Sequence, residues 1–155
     1  MSDALPRTGR LAAIDYGGVR IGVAITDQEQ RLASPLENYN RCGPEADAQW
    51  LKQLVASERI VGFVVGLPVH MSGQESQKSH EARQFGSWLT GLTNLPVRYF
   101  DERYTSAQAE ALLLNAELTK MRRKERLDKL AAQILLAAYL ESSRGEQTPG
   151  PIDDC

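Results

Sequence analysis

Residues Leu11 to Ala24 read Leu-Ala-Ala-Ile-Asp-Tyr-Gly-Gly-Val-Arg-Ile-Gly-Val-Ala, two apolar runs of strand length separated by an aspartate and a glycine pair. Closed by Thr26-Asp27, this stretch predicts a β-hairpin with Asp15 at the mouth of a buried strand. A carboxylate at the edge of a core is costly unless it caps a turn or meets a cation. Taken alone, Asp15 reads as a turn cap. Other acids converging on the same end of the sheet would turn it into a ligand, so the rest of the chain decides the matter.

With 155 residues the chain has the size of one domain that needs no disulfide or metal staple. Its 18 Lys and Arg against 20 Asp and Glu give no global field that points to nucleic acid or membrane, which leaves only a local patch. Cys42 and Cys155 lie far apart and outside any CxxC pairing, so neither a disulfide framework nor a zinc site is expected. No stretch has the pattern of a signal peptide or the length of a membrane span. The expected location is the cytoplasm.

Along the chain, Arg31 to Asn40 is interrupted by Pro35 and predicts an edge strand completing an antiparallel meander. Ala46, Trp50, Leu51, Leu54 and Val55 recur at helical spacing over 45–57, while Ile60 to Gly66 has the continuous β-branched texture of a strand covered on both faces. A loop over 69–74 leads to a helix from Ser76 through Leu92, with Ala82, Phe85, Leu89 and Leu92 inward. Val97 to Phe100 forms a short strand ending in Asp101-Glu102-Arg103. Thr105 with Gln108 predicts a capped helix from Ser106 to Leu113 or Leu114. A cationic run, Lys120 to Arg126, precedes a long apolar helical stripe from Leu127 to Tyr139, with Asp128 at the beginning of that helix. The expected class is α/β, a five-stranded mixed sheet with an antiparallel meander followed by parallel strands, flanked by helices. Residues 1–10 are expected to be a flexible N-terminus, 11–143 the folded domain and 144–155 a disordered tail.

If the first and last strands are parallel neighbours, Asp15 and the Asp101-Glu102 pair lie close, and Asp128 reaches the same spot. Such a cluster repels itself, and a divalent cation relieves the repulsion. Mg²⁺ or Mn²⁺ suits carboxylate oxygens and leaves positions open for phosphate, and two such ions support in-line attack on a phosphodiester. Lys120, Arg122, Arg123 and Lys124, with Arg103 beside the acid pair, would then contact the nucleic-acid backbone.

Four segments in order resemble the YqgF (RuvX) family: Asp15-Tyr16-Gly17 with Arg20 to Ala24; Val65-Gly66-Leu67-Pro68 with Ser72-Gly73; Asp101 to Thr105 with Ala109-Glu110; and Asp128 to Ala132 with Ile134-Leu135. The resemblance spans Leu11 to Ser142. It implies an RNase H-like fold and a metal-dependent nuclease, hydrolysing phosphodiester bonds in 5′-end processing of precursor 16S ribosomal RNA, or alternatively resolving Holliday junctions. It carries the acidic triad to Asp15, the Asp101-Glu102 pair and Asp128, with two Mg²⁺ or Mn²⁺ ions as cofactors. Strand alternation puts the pair on opposite faces, and analogy with related nucleases favours Glu102 as metal ligand together with Asp15 and Asp128. The partners implied are precursor rRNA or branched DNA and ribosomal precursor particles, with no membrane, for a monomer or weak dimer. Ser72 stands where many relatives carry an acid.

Each of these readings has a plainer competitor. Asp128 before an apolar stripe is ordinarily an N-cap, the cationic run a solvated face and Arg103 a structural residue. Trp50 and Trp88 read as core, and His70 and His80 lack partners at useful spacing. The Asp-x-Gly hairpin also opens actin-like sugar kinases, but those need a second lobe and a second phosphate loop. A binding module without turnover is opposed by acids at all three positions.

Overall fold

The computed structural model describes residues 5–68, 74, 76–102 and 120–142, the side chains of the last segment from 130 onward. In chain order the elements are β1 (Arg10–Asp15), β2 (Arg20–Thr26), β3 (Ala33–Asn40), α1 (Pro44–Glu58), β4 (Ile60–Leu67), α2 (Gln77–Thr93), β5 (Val97–Asp101) and α3 (Lys120–Glu141). The sheet order is β3-β2-β1-β4-β5. β1, β2 and β3 form the antiparallel meander, and β4 and β5 run parallel to β1, as expected. β1 and β5 are not neighbours, however, because β4 lies between them. The βαβ crossovers produce this order: α1 carries the chain from the meander to the far side of β1, and α2 carries it one strand further.

Strand alternation sorts the apolar side chains into two layers. Ala12, Ile14, Phe63, Val65 and Leu67 pack with Leu51 and Leu54 of α1 and with Ala82, Phe85 and Leu89 of α2. On the opposite face Leu11, Ala13, Ala24, Val64 and Phe100 pack with Ala132, Leu135, Leu136 and Tyr139 of α3. β4 is buried almost throughout, which is why its sequence runs apolar without alternation. β3 is the exposed edge, and Pro35 falls beside the register shift between Val23 and Ala24, where a missing N–H costs least.

Local chemistry sets the ends of these elements. Pro44 opens α1 at a position that needs no N–H donor, and Arg59 closes it in the left-handed conformation. Ser76 caps α2 by accepting from the Ser79 N–H at 3.1 Å, and its hydroxyl donates to the Pro68 carbonyl at 2.6 Å. That second bond ties the start of α2 to the end of β4.

Leu5 to Arg10, expected to be flexible, are anchored instead. Leu5 is buried, and the Gln30 amide donates to the carbonyls of Pro6 and Gly9 at 2.8 and 2.9 Å. The grip of Gln30 on the preceding segment is a tertiary contact with no local sequence signal. A second correction concerns α3, which already includes Lys120, so Asp128 lies within the helix and is not its N-cap. The cationic run is therefore part of α3 and does not precede it. The helix expected over 106–114, the 69–73 loop containing His70 and Ser72, and the tail over 144–155 lie outside the described residues.

Leu135 is 1 % exposed, at the seam between α3 and the sheet. Leu135→Ala is expected to lower unfolding free energy by about 2–5 kcal/mol in urea denaturation. A loss under about 1 kcal/mol would show that α3 is not packed as described.

Candidate active site

β1, β4 and β5 all finish at one end of the sheet, and their last residues form the site. Beyond the Ile14 to Val65 pairing, Asp15 and Gly66 follow as the next residues of β1 and β4, while Gly66 pairs with Phe100 of β5. Asp15 shares the face of Leu11 and Ala13, Gly66 that of Val64, and Glu102 that of Phe100. All three therefore belong to the α3 side. Asp101 falls with Val97 and Tyr99 on the opposite face and is fully buried.

Although β4 separates the two acid-bearing strands, Glu102 crosses it. A Cβ built on Gly66 would lie 2.9 Å from Glu102 Oε1 and 3.1 Å from its Cγ and Cδ, so the glutamate side chain occupies the space a side chain at 66 would need. From there it hydrogen bonds to Asp15. Glycine at this position is a requirement of close approach, not of backbone conformation.

Burial pushes the Glu102 carboxyl up to about 8, with the Asp15 charge, the hydrogen bond to Asp15 and the Asp101 charge adding to the rise, and Lys78 opposing it. Burial and the neighbouring acids thus favour the protonated form of Glu102 in its hydrogen bond with Asp15. The folded form holds this proton where the unfolded chain has released it. Because burial and repulsion penalise the ionised form, stability is highest below 4.5, the ordinary value of this carboxyl, and falls as pH rises through about 8.

Lys78, exposed in the first turn of α2, had no role in the sequence reading. The bond from Ser76 to Pro68 places its helix at this end of the sheet, and its charge acts on Glu102. Sequence spacing could not have found it, because the link runs through the β4–α2 connection. Tyr16 packs on Phe85 of α2, with ring centroids 4.9 Å apart, and accepts a hydrogen bond from Arg41 at 3.0 Å. A cavity of about 350 Å³ opens along the β1–β2 turn from Asp15 to Gly22.

Two acidic side chains in contact, offering only oxygen atoms, present the donor set that a hard divalent ion takes. Among the described residues, no group of three His, Cys, Asp or Glu side chains gathers around one point. The third expected acid, Asp128, lies on α3 one helical turn before Ala132, a residue buried against the sheet, but its side chain is outside the described residues. At the far end of α3, Ala137 and Leu140 line a cavity with Gln30 to Ala33, which are at the opposite end of the sheet from Asp15. The N-terminal half of α3, with Asp128, thus runs toward the acid end. Arg103 and the side chains of Lys120, Arg122, Arg123 and Lys124 also lie outside the described residues.

The family model for RuvX, described as Holliday junction resolvase, matches residues 9–142. The chain belongs to the RuvX family. A protein of Rhodopirellula baltica named "Putative pre-16S rRNA nuclease" is 51% identical over 142 residues, covering 92% of this chain and 82% of the relative. A Paracoccus denitrificans protein of the same name is 40% identical over 143 residues, covering 92% and 90%. Among solved structures, Thermus thermophilus RuvC in complex with a Holliday junction substrate superposes with a TM-score of 0.50 at 17% identity, over 91% of this chain and 99% of that one. That likeness establishes the fold, the RNase H-like architecture expected from the sequence.

Gly66→Ala is expected to displace Glu102 without unfolding the RuvX domain, since the clashing atoms belong to a flexible side chain. Stability should change by no more than about 1 kcal/mol. Carboxyl ¹³C titration of this variant should find Glu102 moved back toward ordinary carboxylate values, and a midpoint unchanged from wild type would contradict the geometry.

Proposed function

We propose that this RuvX chain is a metal-dependent nuclease that hydrolyses phosphodiester bonds, acting in 5′-end processing of precursor 16S rRNA. The observation that carries the reading is the Glu102 carboxyl lying over Gly66 against Asp15. A fold gains nothing from holding two acids together at the end of a sheet, and the arrangement makes sense as a preorganised cation site. Membership of the family and the names of its relatives support the same activity.

In this reading Asp15, Glu102 and Asp128 would hold Mg²⁺ or Mn²⁺, two ions by the chemistry of such sites, and Asp101 would complete the acidic corner from the other face. When bound, the ions polarise the phosphate and lower the pKa of an attacking water. The protein's own contribution is placement. β1 fixes Asp15, the glycine at 66 admits Glu102, and the ionised Glu102 carboxylate would supply the oxygen donors for a cation. Lys78 approaches from α2, where an ammonium group can pair with a substrate phosphate. Arg103, Lys120, Arg122, Arg123 and Lys124 would hold the nucleic-acid backbone on the α3 side, with binding that weakens as salt rises.

Resolution of a four-way DNA junction is the second reading, favoured by the family description and by the RuvC fold. It requires paired active sites and hence a dimer of fixed geometry, whereas RNA trimming is possible for a monomer. Among the described residues no helix is long and apolar enough to cross a membrane.

Asp15→Asn keeps the size of the side chain and removes its charge. It is expected to lower Mn²⁺-dependent cleavage of a precursor 16S rRNA 5′ fragment by about 100-fold or more, with circular dichroism unchanged. A synthetic four-way junction tested in parallel distinguishes the two substrates. Undiminished product from the folded variant would remove the mechanism.

A further inference from the structure

The β1–β2 turn that carries Asp15 is gripped from outside by a charged pair, a buried Asp47 and a half-buried Arg41, that the nuclease reading does not use. Asp47 lies in the first turn of α1 and is fully buried. It accepts hydrogen bonds from the Tyr39 hydroxyl at 2.8 Å, the Cys42 N–H at 2.9 Å and Arg41 Nε at 3.1 Å. Arg41 uses its remaining groups on the turn. Its NH1 donates to the Tyr16 hydroxyl at 3.0 Å and reaches the Gly17 carbonyl at 3.5 Å, while its backbone N–H donates to the Val19 carbonyl at 2.9 Å. The guanidinium carbon also lies 5.3 Å from the centre of the Tyr16 ring.

A buried ion pair is a poor way to gain stability, because desolvation offsets most of the attraction. What it offers is a fixed direction: a planar guanidinium with one edge pinned by a carboxylate presents its other donors at a set angle. Gly17 shows how little latitude the turn has, since a Cβ there would meet the Arg20 carbonyl oxygen at 2.5 Å. Tyr16 is held on its other side by Phe85. The residue after Asp15 is thus clamped between α2 and Arg41, and the chain beyond it is bonded at two carbonyls.

We propose that Asp47 and Arg41 are positioning residues that fix the Asp15 turn, so that the Asp15 carboxylate stays aimed at Glu102 and at an incoming cation. Neither touches the acid pair. The inference rests on the nuclease reading for its effect on turnover, but the clamp itself is readable without catalysis.

The test uses full-length wild type, Asp47→Asn, Arg41→Lys and Tyr16→Phe. Hydrogen–deuterium exchange over 16–20, calorimetric titration with Mn²⁺ alone, and kcat and KM on a labelled precursor 16S rRNA 5′ fragment are measured on each. Asp47→Asn should raise amide exchange in the turn about tenfold and lower Mn²⁺ affinity and kcat by about 10- to 100-fold, with KM within about twofold. Arg41→Lys should show a similar loss, because a single ammonium nitrogen cannot take the places of both Nε at Asp47 and NH1 at Tyr16. Tyr16→Phe removes a single acceptor, leaves the ion pair intact and keeps the test valid if Asp47→Asn folds poorly. It should show the same pattern at smaller amplitude.

Turn exchange and Mn²⁺ affinity equal to wild type in folded Tyr16→Phe and Arg41→Lys would overturn the proposal. If wild type itself fails to cleave, the nuclease reading falls, while the exchange data still decide whether the clamp exists.

Discussion

Two carboxyl groups pressed together at the rim of an apolar sheet repel unless something positive lies between them. Burial and the Asp15 charge both disfavour ionisation of Glu102 and push its carboxyl well above the ordinary range. Every nearby feature of the fold bears on this contact. The parallel run of β1, β4 and β5 brings three strand ends to one edge, and the gap above Gly66 lets a side chain from β5 reach across β4. A methyl group at position 66 would close that path.

The two faces of the sheet divide the work. The layer against α1 and α2 is the larger apolar core and also holds Asp101 out of solvent. The layer against α3 is apolar where the helix crosses the meander and turns acidic only where the strands end. α3 runs toward that acidic end with its N-terminal half, the half that carries Asp128 and the cationic run in sequence. Packing and chemistry share one element, and a substitution on its buried stripe is expected to disturb both.

Much of this was legible in the chain. The Asp15 hairpin, the proline-broken edge strand, the doubly covered β4 and the Ser76 start of α2 each carry a local signal strong enough to survive tertiary context. Strand order was less accessible. Nothing local tells β5 to pair with β4 instead of β1, so the acids seemed to need adjacent strands when a glycine sufficed. The start of α3 was misplaced because lysine and arginine favour helix as readily as they mark a solvated loop. Asp47 escaped notice for a different reason: an aspartate in the first turn of a helix ordinarily faces water and complements the dipole. Its burial depends on Tyr39 and Arg41 arriving from the end of β3, which only the folded chain brings about.

The most direct measurement of the central claim is the proton balance of cation binding. Calorimetric titration of the full chain with Mg²⁺ or Mn²⁺ at pH 7, repeated in buffers of different ionisation enthalpy, counts protons released per ion bound. A carboxyl that holds its proton to about 8 must give it up to make room for the metal, so release of about one proton is predicted. Binding with no buffer dependence would mean that Glu102 is already ionised or takes no part, and would contradict the account.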